Sequence, residues 1–308
     1  MKILCFGELL CDMTGISPLT YKVNAGGAPA NVAVAAKKAG AEAGVFCKVG
    51  ADNFGVFLRE ELEKAGVDTS RLLVSMKHNT TLAFVSLSEN GERDFSFYRL
   101  ADKEITEEEI TFDSMPVRGV FHFGSLSLTV EPILKSTLKA IALAKKKNCL
   151  VSFDGNYRAN LWQSPEKARA KMVSVIPACD IVKLSDEEAL LITGIADPFE
   201  AAYGVLALGA RVAVITMGSA GSIMVTKDIA VAENGYPANC VDSTGAGDCF
   251  FGSLLALFAL RGGIENITED EGSAMLRYAN AAGAIAVEGY GAIPSYPEKQ
   301  AVLDRMKG

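Results

Sequence analysis

The strongest constraint on this chain is an alternation. Ile3–Phe6, Gly44–Val49, Val120–Phe123, Leu150–Phe153, Ile181–Leu184 and Val212–Thr216 are short apolar runs. Between them stand segments with helical apolar spacing: Asn31–Ala39, Phe54–Ala65, Glu131–Lys147, Pro165–Val175, Asp186–Thr193 and Pro198–Leu208. Short runs that are apolar on both faces predict buried strands, and their repetition with helices predicts an α/β fold, a mostly parallel sheet covered on both sides. Gly40, Gly66, Gly194 and Gly209 fall where helices should stop. No repeat, low-complexity segment or linker breaks the 308 residues, so one domain over 1–308 is expected.

Two segments depart from the alternation. Met13–Ala25 reads as a strand, a Pro turn and a second strand. Thr80–Leu87 and Arg93–Arg99 read as strands joined through Ser88-Glu89-Asn90-Gly91-Glu92, where Asn-Gly signals a type I′ hairpin. These pieces, about 12–26 and 79–100, predict a small antiparallel sheet standing off the main body as a lid.

Composition excludes several classes. Thirty Lys plus Arg against 37 Asp plus Glu leave a net charge of −7, which argues against a nucleic-acid partner. Two histidines, His78 and His122, do not make a multi-histidine zinc site, and no G-x-S-x-G elbow is present. The seven cysteines (5, 11, 47, 149, 179, 240 and 249) include no C-x-x-C pair and are odd in number. They are expected to be free thiols in a reducing, cytoplasmic setting. The opening MKILCFGELLCDM reads as a first strand rather than a signal segment, and no uninterrupted apolar run reaches membrane-spanning length.

The richest string is Val241-Asp242-Ser243-Thr244-Gly245-Ala246-Gly247-Asp248-Cys249-Phe250, followed by an apolar stretch expected to be a buried helix. Gly-Ala-Gly at a helix start turns backbone N–H groups toward one point and makes an anion site. Asp248 beside it supplies a base, the pairing that phosphoryl transfer needs. The helix terminus is expected to lower its pKa. Near the other end stands Asn24-Ala25-Gly26-Gly27-Ala28-Pro29-Ala30-Asn31-Val32-Ala33. Its paired glycines would let a polyol approach the backbone, and Asn31 offers donor and acceptor. Neither a G-x-x-x-x-G-K-[ST] loop nor a complete G-x-G-x-x-G occurs.

Together these strings resemble the ribokinase-like, or PfkB-type, carbohydrate kinases, whose signature is D-[ST]-T-G-A-G-D, and the resemblance runs over almost the whole chain. It implies a three-layer fold and ATP-dependent phosphorylation of a sugar's primary hydroxyl. Asp248 would be the base, with Gly245, Ala246 and Gly247 as the anion hole. Asp12, Gly26, Gly27 and Asn31 would hold the sugar. Lys183-Leu184-Ser185-Asp186-Glu187-Glu188 occupies the family's N-x-x-E position, with Ser185 where Asn is usual and Glu188 organising Mg²⁺. Lys183, Ser185, Thr216, Gly218, Gly221 and Asn280 would face the nucleotide. Asp242, Thr244, Ala286, Gly289, Gly291 and Ser295 would hold K⁺.

Arg99, in F-Y-R, and Arg158, in D-x-N-x-R-x-x-L-W, resemble the fructokinase and 2-keto-3-deoxygluconate kinase branches, and both are expected to contact the substrate. Fructose is the first expectation, the keto-sugar acid the second; ribokinases fit less well. After Arg99 the chain reads Leu100-Ala101-Asp102-Lys103, where fructokinases usually have N-P-S-A-D. The resemblance also implies a homodimer clasped through the lid. A silent sensor on the same fold is opposed by the intact Asp248, and a Rossmann-type oxidoreductase by the missing fingerprint.

Overall fold

A computed structural model describes residues 1–17, 19–87 and 93–307. Its main sheet has nine strands. In chain order they are β1 (Lys2–Gly7), β4 (Glu42–Gly50), β5 (Leu73–Ser75), β8 (Val120–Gly124), β9 (Leu150–Asp154), β10 (Ile181–Ser185), β11 (Val212–Thr216), β12 (Ser222–Val225) and β13 (Ala230–Glu233). The intervening strands β2 (Leu10–Ser17), β3 (Thr20–Gly26), β6 (Thr81–Leu87) and β7 (Arg93–Tyr98) form a separate sheet. The large sheet runs β13-β12-β11-β10-β9-β8-β1-β4-β5 and is parallel except at β11-β12-β13.

The eight main helices are α1 (Ala28–Lys38), α2 (Asn53–Lys64), α3 (Ile133–Lys146), α4 (Pro165–Val175), α5 (Asp186–Thr193), α6 (Pro198–Ala207), α7 (Ala246–Arg261) and α8 (Glu269–Ala286). Alternate strand residues feed two cores. Ile3, Cys5, Val45 and Cys47 face α1, α2, α7 and α8, while Leu4, Phe6, Phe46 and Phe121 face α3 to α6. This is the α/β/α sandwich that the alternation demands. Each helix-stop glycine named above has positive φ, from 76° at Gly66 to 116° at Gly209.

The two faces differ in side-chain size. The α1 face is rich in Ala and Cys, so helices come close there: a Cβ at Gly252 of α7 would stand 2.4 Å from the Val32 carbonyl oxygen of α1. That close approach seats the start of α7 over Asn31.

The small sheet stands apart from the main one, as expected. It is antiparallel within each hairpin, β2·β3 and β6·β7, but the hairpins join through a parallel pair, β2·β6. Both hairpins leave the same end of the main sheet, so their inner strands must run side by side. The Asn90-Gly91 turn and Pro18 lie outside the described residues. No single helix among the described residues is long and apolar enough to cross a membrane.

Candidate active site

Two cavities meet above the carboxyl ends of the parallel strands, where open α/β sheets collect ligands. The smaller, 330 Å³, is lined by residues that include Glu8, Asp12, Gly27, Asn31, Phe97, Arg158 and Asp248. The larger, 1070 Å³, is lined by Lys183, Ser185, Glu188, Thr216, Gly218, Gly221 and Asn280 among others. Asn156, Arg158, Ser243, Gly245 and Asp248 line both. Asp248 therefore stands at the junction.

Its surroundings are built by α1 and α7. Gly245, with φ 76°, caps α7 in the left-handed region, and Asp248 falls in the first turn. Asn31 Nδ2 donates to Asp248 Oδ2 at 2.9 Å. The N–H groups of Gly247 and Asp248 have no acceptor within the helix. That of Ala246 donates back to Ser243 O at 3.3 Å, so one of the expected anion-hole donors is already engaged. A Cβ at Gly247 would stand 3.2 Å from Lys183 Nζ, which places an ammonium group beside the turn.

The expected lowering of the Asp248 pKa is corrected. Burial is the largest influence and raises it, opposed by the Asn31 hydrogen bond and by Lys183 and Arg158, and reinforced by Glu188. Losing water costs a carboxylate more than one helix terminus returns. Lys183 shows the reverse balance. Burial alone would lower it, but Asp154, Glu188 and Asp248 outweigh burial and hold the ammonium above the ordinary lysine value. Its Nζ bridges both Asp154 oxygens at 3.1 and 3.2 Å.

In the larger cavity most of the expected nucleotide side chains are occupied by the protein itself. Ser185 Oγ accepts from Glu188 N at 3.1 Å while Glu188 Oε2 accepts from Ser185 N at 2.8 Å, a capping box that starts α5. Glu188 Oε1 takes Tyr157 N at 2.6 Å. Asn280 Oδ1 accepts from Ser222 Oγ, and its Nδ2 donates to the Glu233 and Asn234 carbonyls. Asn280 thus pins a cavity wall rather than offering an open edge to a base. Thr216, Gly218 and Gly221 line the same cavity.

A model of the pfkB family carbohydrate kinases matches residues 1–299. The chain belongs to that family. It is an ATP-dependent sugar kinase. Fructokinase-2 of Oryza sativa subsp. japonica is 38% identical, over 96% of this chain and 90% of the relative. Probable fructokinase-4 of Arabidopsis thaliana is 37% identical, over 99% and 97%. A fructokinase from Xylella fastidiosa with bound ATP superposes with a TM-score of 0.90 at 32% identity, covering 99% of this chain and 98% of that one. The fructokinase of Vibrio cholerae O395 with fructose, ADP and calcium ion gives 0.90 at 29%, with the same coverage.

Within the kinase, the sugar-side residues separate into two sets. Asp12, Gly27, Asn31 and Arg158 line the smaller cavity. Gly26 and Arg99 do not. A Cβ at Gly26 would meet Asp12 Oδ2 at 2.1 Å, and one at Gly27 would meet the Glu8 carbonyl at 2.5 Å. The glycine pair makes room for the protein's own carboxylate and chain, rather than for a polyol alone. Arg99 is turned into the fold: Nε donates to Asp102 Oδ2 at 2.8 Å, and Nη1 to Leu126 O and Thr129 Oγ1 at 3.1 and 2.6 Å. Asp102 is fully buried, and a desolvated partner of that kind claims the guanidinium. These bonds tie the end of β7 to the Ser125–Leu128 turn.

Glu8 and Phe97 also line the smaller cavity; Phe97 opens the F-Y-R string, and Glu8 lies in no motif. Glu8 had one usable signal, its place just after the carboxyl end of a parallel strand. Burial raises its pKa to about 7, with Arg99 opposing and Asp102 and Asp248 adding to the rise.

The C-terminal loop gathers the expected cation residues. Asp242 Oδ1 accepts from Thr244 N at 2.7 Å and Oδ2 from Gly291 N at 2.9 Å. Ser295 Oγ donates to Gly291 O and Ala292 O, and a Cβ at Gly289 would meet Ser295 Cβ at 2.8 Å. Ala286 ends α8 just before this loop. Tyr296 Oη donates to Gly245 O at 2.8 Å, which fastens the loop to the anion hole.

Proposed function

We propose that this kinase transfers the γ-phosphoryl group of ATP to the primary hydroxyl of fructose, giving fructose 6-phosphate. The observation that carries the sugar is the charge of the smaller cavity. Glu8, Asp12 and Asp248 line it against one cationic side chain, Arg158. Arg99 does not line this cavity, so a carboxylate clamp for a sugar acid would rest on Arg158 alone and is weak, whereas hydroxyl donors suit so many acceptors. The fructokinases among the relatives support the same reading.

In the transfer, Asp248 takes the hydroxyl proton, the sugar oxygen bonds to the γ-phosphorus, and the bond from that phosphorus to the ADP oxygen breaks. The Gly247 and Asp248 N–H groups and Lys183 face the charge on the moving group. The lid strands supply Asp12 and Phe97 to the cavity wall and exclude water. Mg²⁺ accompanies ATP, with Glu188 on the wall to organise its shell; among the described residues no cluster of His, Cys, Asp or Glu is set to hold a metal by itself. One carboxylate, hydroxyls and main-chain carbonyls form a hard donor set of low charge, which fits K⁺ at Asp242, Thr244, Ala286, Gly289, Gly291 and Ser295. Bound there, the cation would brace the anion hole.

The exposed apolar residues of the lid, Ile16, Leu19 and Tyr98, support a homodimer through that sheet. Six buried cysteines and an exposed Cys240, none in a disulfide, support a reducing cytoplasmic setting. The test is coupled ADP release with Mg·ATP against fructose, 2-keto-3-deoxygluconate, ribose and glucose, with and without K⁺. Fructose is expected to give the highest kcat/KM, stimulated by K⁺. Turnover of the keto-sugar acid in its place would overturn the charge argument.

A further inference from the structure

Five buried side-chain polar atoms meet no hydrogen-bond partner among the described residues. Two of them, Glu8 Oε2 and Asn31 Oδ1, belong to residues that line the smaller cavity. Asn31 Oδ1 is an acceptor, and so is Glu8 Oε2 in the ionised carboxylate, so what completes them must bring donors. Asn31 is reached from its motif; Glu8 is not.

Glu8 is held with little freedom. It follows Gly7 at the end of β1 and is 2% exposed. Its Oε1 accepts the N–H of Ala28, the first residue of α1, at 3.2 Å. Its own carbonyl packs so closely on Gly27 that no side chain fits there. The neighbouring cation, Arg99, gives Nε and Nη1 to Asp102, Leu126 and Thr129, and its Nη2, ion-paired with Asp102 Oδ2 at 2.6 Å but hydrogen-bonded to nothing among the described residues, makes no bond to Oε2. A buried acceptor fixed by one oxygen, with the other lacking a donor, is costly unless the bound substrate pairs it.

We propose that Glu8 is a specificity-determining residue that reads one hydroxyl of the sugar, accepting its hydrogen at Oε2 while Ala28 N–H fixes Oε1. The proposal rests on the sugar-kinase reading of this cavity and adds to it a residue outside both signature strings. It implies that the cavity discriminates against a sugar lacking that one hydroxyl, because the orphaned acceptor stays buried.

The experiment is kcat/KM for fructose and its monodeoxy analogues with wild type, Glu8→Ala and Glu8→Gln. In the wild type one analogue should lose about tenfold to a hundredfold, the cost of a buried acceptor left unpaired. In Glu8→Ala that penalty should collapse toward unity while penalties at the other positions persist. Glu8→Gln, which keeps an acceptor and the shape, should soften the same penalty selectively and guards against an alanine variant that does not fold. KM for ATP and the thermal midpoint report whether each variant is intact. A penalty that survives in both variants, or that falls equally at every hydroxyl, overturns the proposal. Wild-type failure on fructose itself would instead overturn the substrate reading, so the two failures are distinguishable.

Discussion

The two cavities are built on opposite logics. In the smaller one, two residues of the lining, Glu8 and Asn31, each keep a buried acceptor atom with no hydrogen-bond partner among the described residues, so side chains are set to do the recognising. In the larger one, Ser185 and Glu188 cap each other, Asn280 holds Ser222 and two carbonyls, and Lys183 holds Asp154, so these lining side chains are already engaged within the wall. The difference teaches that motif residues near a ligand can act by shaping its wall. Substitutions on the sugar side should therefore change kinetics sharply with little loss of stability. On the nucleotide side they should do the reverse.

The largest effect falls at the junction. Asp248→Asn should lower kcat by about 10²–10⁴-fold, the usual worth of a general base, while ATP and sugar still bind. Near-normal turnover by that variant would remove the base assignment. Because burial raises the Asp248 pKa and the base must be ionised, the acidic limb of kcat/KM should lie above the ordinary aspartate range. Asn31→Ala removes a hydrogen bond that favours the ionised form, so the limb should move further up in pH. A limb that stays put in Asn31→Ala would show that this bond does not tune the base.

Asp12 and Asn280 test the contrast directly. Asp12→Ala should raise KM for fructose by about tenfold or more, as expected when a charged acceptor is lost, and leave KM for ATP within about twofold. Asn280→Ala leaves Ser222 and two carbonyls without partners, so it should cost about 1–3 kcal/mol of stability, read by denaturant unfolding. Its KM for ATP should rise by less than about tenfold. Loss of ATP binding at unchanged stability would mean that Asn280 reads the base after all, and the contrast would fail.

Much of the fold was legible because it rests on local rules. Strand runs at Ile181–Leu184 and Val212–Thr216 and helices at Pro165–Val175 and Asp186–Thr193 follow from apolar spacing and caps. The parallel β2·β6 pairing was not legible, since periodicity says that a strand exists but not which neighbour it takes. In the site, Asp248 was readable from its glycine turn, but the sign of its shift depends on burial that only packing creates. The ion pair of Arg99 was hidden for a related reason: its partner Asp102 is three residues on, and nothing in the string reveals that this aspartate is buried. Glu8 carries no spacing signal, and its open oxygen emerges only from the approach of Gly27 and Ala28.

Ser185 offers the smallest and sharpest test. The family's N-x-x-E pattern puts Asn where this chain has Ser185, so a direct nucleotide contact would make the exchange consequential. Here the hydroxyl caps α5 by accepting from Glu188 N, and the Glu188 carboxylate is locked by Ser185 N and Tyr157 N. Asn caps a helix as well as Ser does, so Ser185→Asn should leave stability within about 0.5 kcal/mol and kcat/KM for ATP within about twofold. Ser185→Ala loses the cap and should cost about 1 kcal/mol, with the kinetic change following from a loosened Glu188. A tenfold or larger change in KM for ATP in Ser185→Asn would place the side chain in contact with the nucleotide and end the contrast at this position.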